Sequence, residues 1–266
     1  MVTLTLDGQK VQAEEGATIL DVAKKNNIYI PALCSREGVM PYGACRLCLV
    51  GIVTNGKERL VASCLYPVKE GLVVKANSER VMNNRRMIME LLLARCPNCE
   101  PIQDLARRLG VDKTSFKLED KKCILCGLCV RVCQEVVGLS AITFVDRGVN
   151  REVASPFYET SDACIGCGSC AYVCPINAIE LEDVGDTRTI GFPNSKMAKM
   201  EFKLRKCETC GNYWASEKEL DYIAQRLDLA PEVLNNCPKC RRQTLPLVMG
   251  FAQAVVPSHT LLGYQC

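Results

Sequence analysis

Two copies of one cysteine pattern constrain this chain more than any other feature. Cys123, Cys126, Cys129 and Cys133 are spaced C-x2-C-x2-C-x3-C, and Cys164, Cys167, Cys170 and Cys174 repeat the spacing. Pro175 follows the second copy and Gln134 the first. Thiolates so spaced wrap three corners of a cubane [4Fe–4S] cluster, and the fourth cysteine of each run ligates the other cluster. The spacing therefore predicts one cluster on Cys123, Cys126, Cys129 and Cys174, and another on Cys164, Cys167, Cys170 and Cys133. Gly127, Gly166 and Gly168 leave the backbone room to approach an inorganic core. A disulfide or zinc framework accounts poorly for eight cysteines in two matched runs.

Composition narrows the chemistry further. The chain has 266 residues, with 19 cysteines against a single histidine, so metal binding here means thiolate binding. The N-terminal MVTLTLDGQK has neither a basic start nor an apolar signal core, and no apolar run reaches the ~20 residues of a membrane span. Paired cysteines without an export signal point to a reducing, cytoplasmic setting. A net charge of +3 is too small to argue for nucleic acid. Basic residues gather at Arg80, Arg85 and Arg86 and at Lys121 and Lys122, which reads as a solvated or protein-docking face.

Residues 1–77 read as a small mixed α/β domain. Val2, Leu4 and Leu6 alternate with threonines, and Asp7-Gly8 turns the chain into Lys10–Ala13. Thr18 with Asp21 marks a helix start. Strands are expected at Leu49–Thr54 and Arg59–Ser63 around Asn55-Gly56, then at Leu72–Ala76. Cys34, Cys45, Cys48 and Cys64 lie on this framework, and four thiolates on a small strand-rich domain suit a [2Fe–2S] cluster. Zinc is the alternative for any four-cysteine set. The spacing C-x10-C-x2-C-x15-C departs from that of plant-type ferredoxins.

The runs ATILDVAKKNNIYIPALC, YGACRLCLV and SCLYPV resemble the N-terminal iron–sulfur module of the large iron–sulfur subunit of complex I. The same module occurs in the diaphorase iron–sulfur subunit of NAD-reducing hydrogenases, in iron-only hydrogenases and in related electron-bifurcating oxidoreductases. KCILCGLCVRVCQEV and ACIGCGSCAYVCP extend the resemblance to about residue 182. It implies a β-grasp [2Fe–2S] domain, a two-cluster bacterial-ferredoxin-like domain, and electron passage from an NADH-oxidising flavoprotein to another redox centre. Family members commonly hold a further [4Fe–4S] cluster by one histidine and three cysteines after the helix at Glu79–Ala94. Here only Cys96 and Cys99 stand at that place, so these two are expected to be packing thiols.

A helix is expected at Pro101–Leu109, capped by Gly110, and strands at Ala141–Asp146 and Ile176–Leu181. Cys207, Cys210, Cys237 and Cys240 form two C-x2-C knuckles around a helix opened by Ser216 and Glu219, with Leu220, Ile223 and Leu227 on one face. They suit one structural zinc ion in a small metal-ribbon lobe, with rubredoxin-type iron or a [4Fe–4S] cluster as alternatives. Met87 and Met89 read as helix-face packing, and His259 as structural.

The expected organisation is α+β. A [2Fe–2S] domain spans 1–77, a helical connector 78–118, a 2×[4Fe–4S] domain 119–182, a linker 183–200, the lobe 201–245 and an apolar docking tail 246–266. Leu245, Leu247, Val248 and Phe251 make the tail region apolar, and Cys266 ends it. No catalytic carboxylate pair, nucleophile–base set, phosphate loop or GxGxxG fingerprint is present. These observations predict a non-catalytic electron-transfer subunit carrying one [2Fe–2S] cluster, two [4Fe–4S] clusters and one zinc ion. The resemblance then implies a hetero-oligomer in which flavin and NAD(P)H sit on a partner chain, with a further redox subunit of hydrogenase, formate dehydrogenase or transhydrogenase type. A stand-alone ferredoxin-type carrier is the alternative.

Overall fold

The computed structural model describes residues 1–193 and 196–249. Its contacts separate two compact units: Met1–Glu182 with Thr189–Glu201, and Asp183–Arg188 with the chain from Phe202 onward.

The first unit begins with a five-stranded mixed sheet. Strands β1 (Val2–Leu6) and β2 (Gln9–Ala13) form a hairpin in the register Val2↔Ala13 to Leu6↔Gln9. Helix α1 (Ile19–Lys25) starts with a reciprocal capping box: the Asp21 N–H donates to Thr18 Oγ1 at 3.2 Å, and the Thr18 N–H to Asp21 Oδ2 at 3.4 Å. After the segment that carries Cys34, Cys45 and Cys48 come β3 (Leu49–Thr54), β4 (Lys57–Ala62) and β5 (Val73–Lys75). The sheet order is β2-β1-β5-β3-β4, with β1 and β5 parallel. Ile19, Leu20, Val22 and Ala23 of α1 share a core with Leu4, Leu6, Val50, Ile52 and Val74 of the sheet. That core also includes Cys48 and Cys64, so the thiols grow directly from the sheet's packing.

Helix α2 (Glu79–Arg95) opens on Ser78, whose Oγ accepts from the Val81 N–H at 3.2 Å. It buries Val81, Arg85, Met89 and Leu93, one residue per turn. Arg85, expected on a basic surface, is instead 1% exposed, because the helical period puts it on the apolar stripe. Met89 packs as expected, whereas Met87 is exposed. Helix α3 (Glu100–Arg108) follows, and Val111 N–H donates to the Ala106 carbonyl past Gly110 at 2.9 Å.

One short helix in each run follows the first two cysteines and carries the third. Helix α4 (Leu128–Arg131) continues into a wider π-type turn at Val132–Val137. Strands β6 (Thr143–Val145) and β7 (Glu152–Ala154) pair antiparallel, and α5 (Ser169–Tyr172) follows. Gly127 and Gly168 cap α4 and α5 with φ of +76° and +74°, where a side chain would be strained. A Cβ on Gly168 would also lie 2.5 Å from Leu181 Cδ1.

Two expectations fail after Cys174. The strand expected at Ile176–Leu181 begins only at Glu180, as β8 (Glu180–Val184), because Ile176 and Ile179 are buried in the preceding turns. Residues 183–200, expected as a linker, carry the end of β8 and all of β9 (Thr187–Gly191). Gly185 turns the chain at φ +59°, and Ile190 and Phe192 are buried, so the segment is packed structure.

In the second unit, β10 (Met200–Lys206, shared across the division at Phe202) pairs antiparallel with β11 (Tyr213–Ser216). Helix α6 (Glu217–Leu227) starts on Ser216, whose Oγ accepts from the Glu219 N–H at 3.1 Å. Leu220 is buried and Ile223 packs beside it, whereas Leu227, expected on the same face, is exposed. Helix α7 (Pro238–Met249) follows the second knuckle. The docking-tail expectation for 246–266 lies outside the described residues from 250 onward, as do His259 and Cys266.

Candidate metal centres

Cys34, Cys45, Cys48 and Cys64 come together where the loop 31–48 meets β3 and the end of β4. The Cys45 N–H donates to Cys34 Sγ at 3.5 Å, the Leu33 N–H to Cys45 Sγ at 3.4 Å, and Cys48 Sγ lies 3.4 Å from Cys64 Sγ. Hydrogen bonds from Cys45 and Cys64 hold Cys34 low and that from Cys64 holds Cys48 low, while the donating thiols are pushed up. All four are buried, so anionic sulfur here needs a cationic partner.

The eight cysteines of the paired runs divide between two cavities of the first unit. One is lined by Cys123, Cys126, Cys129 and Cys174, together with Arg95, Leu125 and Ile176. The other is lined by Cys133, Cys164, Cys167 and Cys170, with Ile190, Phe192 and Met200. Each cavity thus takes three thiols from one run and the last thiol of the other. Backbone N–H groups of Leu125, Ala141 and Ala178 donate to Cys123, Cys133 and Cys174 Sγ at 3.4, 3.3 and 3.2 Å. Burial pushes the Cys126 and Cys170 thiols up to about 12, and Cys129 rises for the same reason. Metal binding at these thiols must therefore displace protons.

Cys96 and Cys99 lie beside the first of these cavities. Cys96 closes α2 and is fully buried, which pushes its thiol up to about 12. Cys99 Sγ is 3.8 Å from the Ile176 carbonyl. Among the described residues they belong to no three-ligand group.

In the second unit the ligand atoms of Cys207, Cys210, Cys237 and Cys240 all lie within 4.8 Å of one another, and Cys210 and Cys237 Sγ are 3.9 Å apart. A tetrahedron with ~2.3 Å metal–sulfur bonds has edges of about 3.8 Å. The set therefore fits one ion rather than a cubane, whose thiolates sit on separate irons. Among the described residues no other group is this tight. The Cys237 N–H donates to Cys207 Sγ at 3.3 Å and helps hold that thiol down to about 6. Trp214 packs on Cys207, Cys237 and Cys240.

Sequence reasoning missed two kinds of residue. Asn236 Oδ1 accepts from the Thr209 N–H at 3.1 Å and from Thr209 Oγ1 at 2.7 Å, locking one knuckle to the other. Its position just before Cys237 is the available signal. The loop arginines were missed as well. Arg95 Nε donates to the Cys123 carbonyl at 2.8 Å, Arg85 to the Leu49 carbonyl, and Arg131 to the Cys34 carbonyl at 3.0 Å. Arg131 follows Cys129 by two residues, so it ties the Cys34 loop to α4. The Met40 N–H, donating to Glu135 Oε2 at 2.7 Å, adds a second tie.

With this geometry in place, comparison with known proteins is decisive. Residues 1–79 match a 2Fe-2S iron-sulfur cluster binding domain, and residues 116–181 and 163–212 match 4Fe-4S dicluster domains. A crystal structure of an NAD+-reducing [NiFe]-hydrogenase in the H2-reduced state is 32% identical with a TM-score of 0.52, covering 58% of this chain and 75% of that one. The chain belongs to the iron–sulfur module family of complex I and NAD(P)-reducing hydrogenases.

Within this family, an NADH-quinone oxidoreductase subunit of Rhizobium meliloti is 31% identical over 67% of this chain and 24% of its own length. The NADP-reducing hydrogenase subunit HndD of Solidesulfovibrio fructosivorans is 35% identical over 67% of this chain and 36% of its own. The chain thus spans about a quarter to a third of the length of the curated relatives it matches. The second dicluster match reaches Cys207 and Cys210, but these thiols gather with Cys237 and Cys240. No helix among the described residues is long and apolar enough to cross a membrane.

Proposed function

We propose that this chain is the iron–sulfur electron-transfer part of a cytoplasmic, multi-subunit NAD(P)H-linked oxidoreductase. Its clusters supply one-electron transfer when bound, and its own residues bind them, bury them and set their spacing. A β-grasp domain over 1–77 holds a [2Fe–2S] cluster on Cys34, Cys45, Cys48 and Cys64. The connector 78–118 leads to the two-cluster domain 119–182. There one [4Fe–4S] cluster is held by Cys123, Cys126, Cys129 and Cys174, and the other by Cys133, Cys164, Cys167 and Cys170. A metal-ribbon lobe over 201–245 holds one structural zinc ion on Cys207, Cys210, Cys237 and Cys240, with iron the alternative.

The observation that carries this reading is the pair of cavities, each lined by three thiols of one run and the fourth of the other. Soft thiolates in such sets select iron–sulfur clusters. A flavin- and NAD(P)H-binding subunit is proposed as partner because the relatives named above are subunits of NADH- and NADP-linked enzymes. The same relatives disfavour a stand-alone carrier. Anaerobic iron and acid-labile sulfide analysis tests the count: two plus four plus four gives about ten irons per chain. A value near about fourteen means another tetranuclear cluster and overturns the assignment.

A further inference from the structure

The buried charged residues among those described are both arginines, Arg85 at 1% exposed and Arg131 at 9%. Each ends on backbone at or beside a cysteine of the Cys34, Cys45, Cys48 and Cys64 set. Arg85 shares the buried stripe of α2 with Val81, Met89 and Leu93. Its Nε and Nη2 donate to the Leu49 carbonyl at 3.1 and 2.7 Å, one residue beyond Cys48. Arg131 lies between Cys129 and Cys133. Its Nη1 and Nη2 donate to the Met40 and Cys34 carbonyls, its plane faces Tyr42 at 5.4 Å, and its Nε has no hydrogen-bond partner.

Neither guanidinium is in a salt bridge of the described residues. Arg95 is different: it also clasps a thiolate loop, but Glu119 neutralises it at 2.9 Å. A buried guanidinium whose polar partners are neutral groups, here carbonyls and, for Arg85, the Met82 sulfur at 3.9 Å, is strongly unfavourable, and folds keep such a charge where another charge compensates it. Burial pushes the Arg85 pKa down, and the nearby Cys48 sulfur, followed by the Asp7 carboxylate and the Tyr29 hydroxyl, pulls it back up. An iron–sulfur cluster with its four thiolates is a net anion that becomes more negative on reduction, and net charge is one of the terms that set its potential.

We propose that Arg85 and Arg131 are built-in countercharges of the iron–sulfur sites, Arg85 serving the binuclear site alone and Arg131 shared between it and the tetranuclear pair. The proposal rests on the cluster assignment above. Both are positioning residues: they touch ligand loops rather than ligand atoms. A fixed positive charge stabilises the reduced state more than the oxidised one, so each raises the potential of the cluster it faces. Arg131, tied to the Cys34 loop and placed between Cys129 and Cys133, acts on the binuclear site and the tetranuclear pair together.

The test is potentiometric titration of the full chain followed by electron paramagnetic resonance, after iron per chain has been counted. Arg85→Gln is expected to move the binuclear midpoint to a more negative potential and leave the tetranuclear signals in place. Arg131→Gln is expected to move the binuclear midpoint and a tetranuclear one in the same direction. Arg85→Lys and Arg131→Lys keep the charge and are expected to stay near wild type. Iron-replete Gln variants with unmoved midpoints overturn the proposal, as do Lys variants that fall as far as Gln. Should a Gln variant lose iron, the Lys variant decides: a wild-type midpoint supports the charge role and a fallen one sinks it. A wild-type chain without the expected iron fails the cluster assignment instead.

Discussion

At the scale of single residues, the thiolate loops hold backbone in places that ordinary side chains avoid. Arg46 and Leu125 have φ of +58° and +54°, and Gly166, the counterpart of Leu125 in the second run, has +69°. Left-handed backbone costs an L-residue about 1–2 kcal/mol, and such strain gathers where a loop must wrap something. Arg46 is exposed, so its side chain contributes little packing. Arg46→Gly is therefore expected to be neutral or to stabilise by up to about 1 kcal/mol, after the extra unfolded-state entropy of glycine. Thermal unfolding of cluster-loaded protein measures it, and a clear loss of stability refutes the strain argument. Asn236 offers a second residue-scale test, because it joins both knuckles without lying among the four thiols. Asn236→Ala is expected to weaken metal binding in the lobe by about 10–100-fold, read by competition with a chromogenic chelator.

Elements explain how the runs trade cysteines. A glycine in left-handed conformation opens both α4 and α5, so each run folds as a loop for two thiols and then a short helix that carries the third. The fourth thiol of each run comes a turn or more later and lines the opposite cavity. Cys174→Ala should therefore damage the cluster of Cys123, Cys126 and Cys129, although Cys174 belongs to the other run. Site-resolved spectroscopy of the variant checks this, and loss of the Cys164, Cys167 and Cys170 cluster alone would contradict it. The same two-part elements are legible in the sequence because spacing and glycine placement are local. The β8–β9 region is not, since Val184-Gly185-Asp186-Thr187 reads as part of a linker although buried Ile190 and Phe192 follow it.

Over the whole molecule, two units with separate cores imply separate dependence on metal. The second unit gathers its small core around Cys207, Cys237, Cys240 and Trp214, with Ala215, Leu220 and Leu234 adjoining. So little apolar area leaves metal binding to supply much of its folding free energy, about 10–16 kcal/mol in small zinc domains. Trp214 is the chain's single tryptophan and reports on this lobe alone. Removing the metal proposed for this lobe with a chelator should shift its fluorescence toward that of an exposed indole while visible iron–sulfur absorption persists. Simultaneous loss of both signals would mean that the units do not stand independently.

By itself the sequence determined what is written in local spacing: eight cysteines in two matched iron–sulfur runs, four more in two knuckles, the capped starts of α1 and α6, and the alternation of β1. Thiol spacing and strand period act over a few residues, so no tertiary information is needed to read them. The tertiary structure alone decided that Arg85 is core rather than surface, that Leu227 is surface rather than core, and that Arg131 reaches the Cys34 carbonyl. Those outcomes depend on what packs against a helix face from elsewhere in the chain. A buried charge in particular looks like a surface charge until the fold closes over it.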